Sequence, residues 1–321
     1  MKCPICKSES APFMEIYDDR YGFPGSFSLQ QCSSCKHIFI DKLFSDQELI
    51  NLYSNYYPRS KFDLTQCKPH PDKNKFFFWL DGDNRSAYRW VPKNVTVLDI
   101  GCGFGESLAF HTARGCDVYG VEADENIQRV ADEYGYNVHV GLFDPSIYEP
   151  NFFDFVTMDQ VIEHVTNPVA TLKGIEKILK PDGCLLLAVP NPQGWGAKLF
   201  GKRWINWHAP YHLQHYSILS MAALAEKSGF KIDHVKTVTS SDWLYYQWKH
   251  LITYPNIEIK SDFWDGKKIK DFPLHKKLLL VFFWGIHKLK IDHLVTRFFD
   301  FLGLGDSRLF FLSKKSKENL S

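Results

Sequence analysis

Residues 95–105, "VTVLDIGCGFG", constrain this chain more than any other stretch. Val95 to Ile100 are largely β-branched or apolar, as a parallel strand buried on both faces must be. Gly101, Gly103 and Gly105 follow at alternate positions, directly before a helical pattern from about Glu106 to Ala113. Strand, glycine turn and helix in that order form the first unit of an α/β fold. A turn without side chains lets a ligand approach backbone amides at the helix start. A second strand, Asp117 to Val121, ends in Glu122, whose carboxylate can accept both hydroxyls of a ribose. The combination asks for a nucleoside.

An acidic residue about twenty positions after a glycine turn also marks dinucleotide folds. Here the turn is GxGxG rather than GxGxxG, and Asp99 stands just before it. A carboxylate there would repel a pyrophosphate, but it can order the loop and help hold an ammonium group. "LDIGCGFG" followed by "VYGVEAD" resembles motif I and its successor in class I S-adenosylmethionine-dependent methyltransferases. The resemblance runs from about Arg85 to Phe230 and resumes near Arg308 to Ser313. It includes "FFDFVTMDQVIEHV", where a buried strand gives way to Asp159, Gln160, Glu163 and His164. It also includes "GIEKILKPDGCLLLAVPNP", where a helix is expected to stop at Pro181-Asp182-Gly183 before a fifth strand.

The resemblance implies a Rossmann-like sheet of seven strands, mostly parallel with the last antiparallel, and a helical insertion before that strand at about 263–303. It also implies cofactor contacts. Asp99, Gly101, Gly103 and Gly105 would surround the methionine portion, Glu122 the ribose, and Ala123 and Asp124 the adenine edge. Phe143 would pack on the ring, and Asp159 and Gln160 would face the methionine and the methyl group. Cys102, Cys116 and Cys184 read as small packing residues.

Cysteine spacing defines the other end. Cys3-Pro-Ile-Cys6 and Cys32-Ser-Ser-Cys35 form two CxxC pairs, the spacing of a closed tetrahedral Zn2+ site that is structural rather than catalytic. His37 reads as a surface residue. The expected division is a zinc-binding module at 1–44, a helical connector at 45–84 capped by Ser45, and a methyltransferase domain at 85–321. Cys67, in the connector, reads as an ordinary thiol.

The acceptor is sought in "GKRWINWHAPYHLQHYS", Gly201 to Ser217, which carries His208, His212 and His215 among aromatics after the fifth strand. This stretch resembles the "W...P.H...FS" segment of bacterial glycan- and small-molecule-modifying methyltransferases. Sugar C-methyltransferases share the four-cysteine domain but usually show Tyr-x-Glu-His. Here Ala209 and Tyr211 occupy the Tyr and Glu positions before His212. O-methylation of a sugar, lipid-linked glycan or other small molecule is therefore expected, with His212 as base and His164 as second candidate.

The alternatives are carbon methylation, an RNA methyltransferase, and a non-catalytic scaffold. Against RNA, residues 85–230 carry 12 basic and 16 acidic groups, a net −4, whereas residues 231–321 carry 16 and 10, a net +6. The basic tail, with apolar faces around Lys276, Lys277, Lys288, Lys290 and Arg297, reads either as an inserted helical pair packing on its own sheet or on another subunit, or as an interfacial contact for anionic membrane over 275–303. Its longest apolar run, Leu278 to Ile286, is half the ~18 to 20 residues needed to cross a bilayer. Met1-Lys2 leads straight into a cysteine motif, so a cytoplasmic address is expected, peripheral on the membrane if the tail binds it.

Overall fold

The computed structural model describes residues 1–42, 44–56 and 74–315; Cys67 and much of the connector lie outside the described residues. Three antiparallel strands open the chain: β1 (Ser10–Tyr17), β2 (Ser26–Cys32) and β3 (Ile38–Ile40). Ser45 caps α1 (Asp46–Asn51) as expected. Its Oγ accepts from the Glu48 amide at 3.2 Å, and Glu48 Oε2 accepts from the Ser45 amide at 2.9 Å, so two helix-end donors are satisfied reciprocally. Asn74 caps α2 (Lys75–Asp81), which a left-handed Gly82 ends.

The α/β sheet starts at its centre. β4 (Thr96–Ile100), α3 (Glu106–Thr112), β5 (Asp117–Glu122), α4 (Ile127–Tyr134) and β6 (Asn137–Val140) wind outward on one side. β7 (Phe153–Asp159), α5 (Pro168–Ile178) and β8 (Leu179–Pro190) wind outward on the other. After α6 (Trp195–Phe200), the two-residue β9 (Gln214–His215) and α7 (Ile218–Lys227) lead to β10 (Phe230–Thr237). Three helices, α8 (Asp242–Ile252), α9 (Leu274–Lys288) and α10 (Ile291–Phe301), precede β11 (Ser307–Lys314).

The seven strands run in the order β10-β11-β8-β7-β4-β5-β6, and β11 is antiparallel to both its neighbours. Val97, Leu98, Val156, Met158 and Leu185 to Leu187 are fully buried, which is why these strands read as continuous apolar runs. Strand order reverses between β4 and β7. Sheets of this kind take ligands at such a reversal, in the crevice outside the carboxyl ends of the strands.

Two boundaries differ from expectation. α5 ends at Ile178 rather than at the Pro181-Asp182-Gly183 turn, because Leu179 is fully buried and already pairs with Phe153, so β8 runs through the turn residues. The helical insertion begins at α8, well before 263, since Trp243 and Leu244 belong to the core.

The expected break after residue 44 does not interrupt packing either. β9 is the fourth strand of the N-terminal sheet: Ile38 pairs with His215 and Phe39 with Gln214. Ile16, Tyr21, Phe23, Phe27 and Leu29 share one core with Trp204, Trp207 and Tyr211. His37, expected at the surface, is fully buried, and its Nε2 lies 2.8 Å from Gln214 Oε1. The small sheet thus clamps the histidine-rich segment onto the larger domain.

Candidate active site

The glycine turn is shaped by close contacts. Gly101 has φ +74°, and a Cβ there would stand 2.4 Å from Val161 Cγ2, so the turn can pack beneath the loop after β7 only as glycine. Gly103 has φ +54° and nothing within 4 Å of where its Cβ would project. That space is the crevice itself. The Gly103 amide donates to Glu122 Oε2 and the Asp124 amide to Glu122 Oε1, both at 2.9 Å. One carboxylate at the end of β5 therefore ties together the loops after β4 and β5. Gly105 starts α3, Ala123 is exposed, and Asp124 caps the next turn by accepting from the Asn126 amide.

Asp99 is placed differently from expectation. It is buried, its two oxygens accept from Ser107 Oγ and Thr157 Oγ1, and burial pushes its carboxyl up to about 7. It staples β4 to α3 and β7. Phe143 is half-buried, its ring resting against the main core and close to Gly174 of α5, while Leu142 beside it is 82% exposed. Asp159 at the end of β7 accepts from Ser86 and from the Ala87 amide, and burial raises its carboxyl to about 6. Gln160, with φ +57°, is exposed and reaches Ser307 Oγ at 3.5 Å.

His164 and His212 do come together. A short 3-10 turn, Ile162–His164, leads the chain out of β7, and the Leu213 amide donates to the Glu163 carbonyl at 2.8 Å. The two rings meet edge to face with centroids 4.7 Å apart. His164 Nδ1 lies 2.9 Å from the Tyr211 carbonyl and His212 Nδ1 2.9 Å from the Asn206 carbonyl. Carbonyls only accept, so each Nδ1 carries the proton and each Nε2 is the bare nitrogen. Burial holds His164 down to about 4 and His212 well below the usual histidine range. Asp306, which sequence reading passed over, anchors this segment: its carboxylate accepts from Trp204 Nε1 at 2.7 Å and Asn206 Nδ2 at 2.6 Å.

Comparison with known proteins identifies the family. The sequence model of a family described as a methyltransferase domain matches residues 68–235, which is 168 of the 321 residues. The chain belongs to this methyltransferase family. It is similar to the ubiquinone biosynthesis O-methyltransferase of Xanthomonas axonopodis pv. citri, 27% identical over 175 residues that cover 50% of this chain and 71% of that one. The Thiobacillus denitrificans protein of the same name is 30% identical over 132 residues, covering 37% of this chain and 57% of its own. Among solved structures, phosphoethanolamine N-methyltransferase 2 of Haemonchus contortus, in complex with S-adenosyl-L-methionine, matches 87% of this chain and 62% of its own. Its identity is 20% and its TM-score 0.49.

The protein is thus an S-adenosylmethionine-dependent methyltransferase with a seven-stranded α/β core. The crevice fits a nucleoside cofactor: an open space over Gly103, a carboxylate at its rim, and an exposed Leu142 in the loop after β6.

The four N-terminal cysteines also converge. Cys3 and Cys35 Sγ lie 3.7 Å apart, Cys6 and Cys32 3.4 Å, Cys6 and Cys35 3.5 Å. A tetrahedron with zinc–sulfur bonds of about 2.3 Å has edges of about 3.8 Å. The sulfurs are spaced as a closed four-thiolate shell requires, and three of these cysteines are buried.

Proposed function

We propose that this methyltransferase O-methylates a small-molecule acceptor of the sugar or glycan class, in the cleft between the glycine turn and the histidine segment. The observation that supports this most is the His164–His212 pair, with both Nδ1 protons fixed by backbone carbonyls and both Nε2 nitrogens turned to accept. The curated relatives are O-methyltransferases by name. In this reading Gly101, Gly103 and Gly105 admit the methionine portion of the cofactor, Glu122 takes the ribose, and Ala123, Asp124 and Leu142 line the adenine. S-adenosylmethionine supplies an activated methyl group. The chain must then align the acceptor and handle its hydroxyl proton, and His212 is the group proposed for that, with His164 beside it. Cys3, Cys6, Cys32 and Cys35 hold a structural zinc. A screen of hydroxyl, amine and carbon acceptors with labelled methyl donor tests the reading. Label is expected in ethers, and His212→Ala should lower turnover about 10²- to 10⁴-fold with cofactor affinity within twofold. Label only in amines or on carbon contradicts it.

A second surface bears on the acceptor. α9 and α10 expose Leu278, Phe282, Trp284, Leu294, Phe298 and Phe301, the last at 86%. An apolar face of this size on a water-facing helical pair marks a contact. Lys268, Lys270 and Lys288 are exposed around it, so the occupant proposed is an anionic bilayer. Two basic residues expected to contribute are engaged within the protein: Lys290 Nζ is 2.5 Å from Asp81 Oδ1, and Arg297 is buried 2.9 Å from Asp300. Among the described residues no helix is long and apolar enough to cross a membrane. Full-length protein should float with phosphatidylglycerol liposomes, and Phe282→Asp/Phe298→Asp should not. A chain that forms dimers through this face and ignores liposomes would overturn the proposal.

A further inference from the structure

The histidine pair has a third neighbour that proton transfer does not explain. Glu163 is 0% exposed, and neither of its carboxylate oxygens has a hydrogen-bond partner. An isolated carboxylate withdrawn from water in this way costs several kcal/mol unless a cation or proton compensates it. One oxygen of Glu163 and one nitrogen each of His164 and His212 lie within 4.8 Å of one another. Each histidine already donates its Nδ1 proton to a backbone carbonyl, the outer contact that fixes an imidazole so that Nε2 can bind a metal.

We propose that Glu163, His164 and His212 bind one divalent first-row transition-metal ion, separate from the four-cysteine site. Two imidazoles and one carboxylate suit zinc, manganese or iron, and they leave coordination positions open. This rests on the O-methylation reading for the role of the ion and changes the part His212 plays in it: with Nε2 on the metal, the residue is a ligand and no longer the proton acceptor. An acceptor hydroxyl bound there is acidified, its proton leaves to water, and its oxygen forms the bond to the methyl carbon as the methyl–sulfur bond breaks, releasing the thioether. No oxidation state changes. The three residues are well placed for this, since Glu163 and His164 follow directly from the carboxyl end of β7, beside Asp159.

The test counts metal on the full-length chain. Wild type, Glu163→Gln and His212→Ala are equilibrated with excess zinc, passed through gel filtration and analysed for metal per chain, and S-adenosylmethionine affinity is measured on the same samples. Wild type should hold one zinc equivalent more than either variant, with cofactor affinity within twofold in all three as proof of folding. Equal zinc content in the three proteins overturns the proposal, whatever the four cysteines hold. If zinc is equal and His212→Ala still loses turnover, proton acceptance by His212 stands without the metal. If the extra equivalent is present but no hydroxyl acceptor is methylated, the site stands and the O-methylation reading fails.

Discussion

Glu122→Ala weakens S-adenosylmethionine binding by about 1 to 3 kcal/mol, roughly five- to 150-fold, while the chain stays folded. The loss has two sources. The carboxylate stands at the tip of β5, where the proposed ribose would meet it, and it also receives the Gly103 and Asp124 amides at 2.9 Å. Removing it takes a charge-assisted contact from the ligand and releases both loops that frame the crevice. Glu122→Gln keeps one acceptor oxygen and should fall between. Calorimetry on the purified protein reads all three, and an alanine variant that binds as wild type does would contradict the placement of the ribose.

The larger effect is expected at the other end of the chain. Cys3→Ser/Cys6→Ser removes two of four thiolates, and a structural zinc in such a shell is worth about 10 to 16 kcal/mol of apparent binding free energy. That exceeds what a small four-stranded sheet can supply from its own core, so residues 1–42 should become sensitive to protease and metal analysis should show one zinc equivalent fewer than wild type. Chelation of the wild type should do the same. Cofactor affinity should change little, because the glycine turn and Glu122 belong to the larger sheet. Methyl transfer should nevertheless fall at least tenfold. β9 pairs with β3, and the Arg20 guanidinium donates to the Ile205 carbonyl, so loss of the small sheet loosens the segment that presents His212. A variant lacking the four-cysteine zinc but with full turnover would show that the module serves no purpose at the histidine segment.

The sequence carries the main sheet openly, because strands buried on both faces are continuous apolar runs and the turn after β4 places glycine at its three positive-φ positions, 101, 103 and 105. The cysteine pairs are equally legible, since two CxxC turns leave little else for four thiols to do. Side-chain direction is where reading along the chain fails. Asp99 turns inward because Ser107 and Thr157 offer it hydroxyls from α3 and β7, neighbours that only the fold assembles. Phe143 rests half-buried against the core beside Gly174, and Leu142 next to it is exposed, a division the sequence does not signal. Glu163 is adjacent to His164, but its significance depends on His212, 49 residues after it, and on burial that no periodicity announces. The clamp between the small sheet and the histidine segment was hidden for the same reason: β9 is two residues long, too short to leave a pattern.

The central claim is that the crevice over Gly101, Gly103 and Gly105, closed by Glu122, holds the cofactor. A crystal structure of the protein with S-adenosylhomocysteine tests it most directly. The account predicts the ligand over Gly103, with both ribose hydroxyls within hydrogen-bond distance of the Glu122 carboxylate and the adenine beside Leu142. Ligand density elsewhere on the protein, with that crevice filled only by solvent, would contradict it.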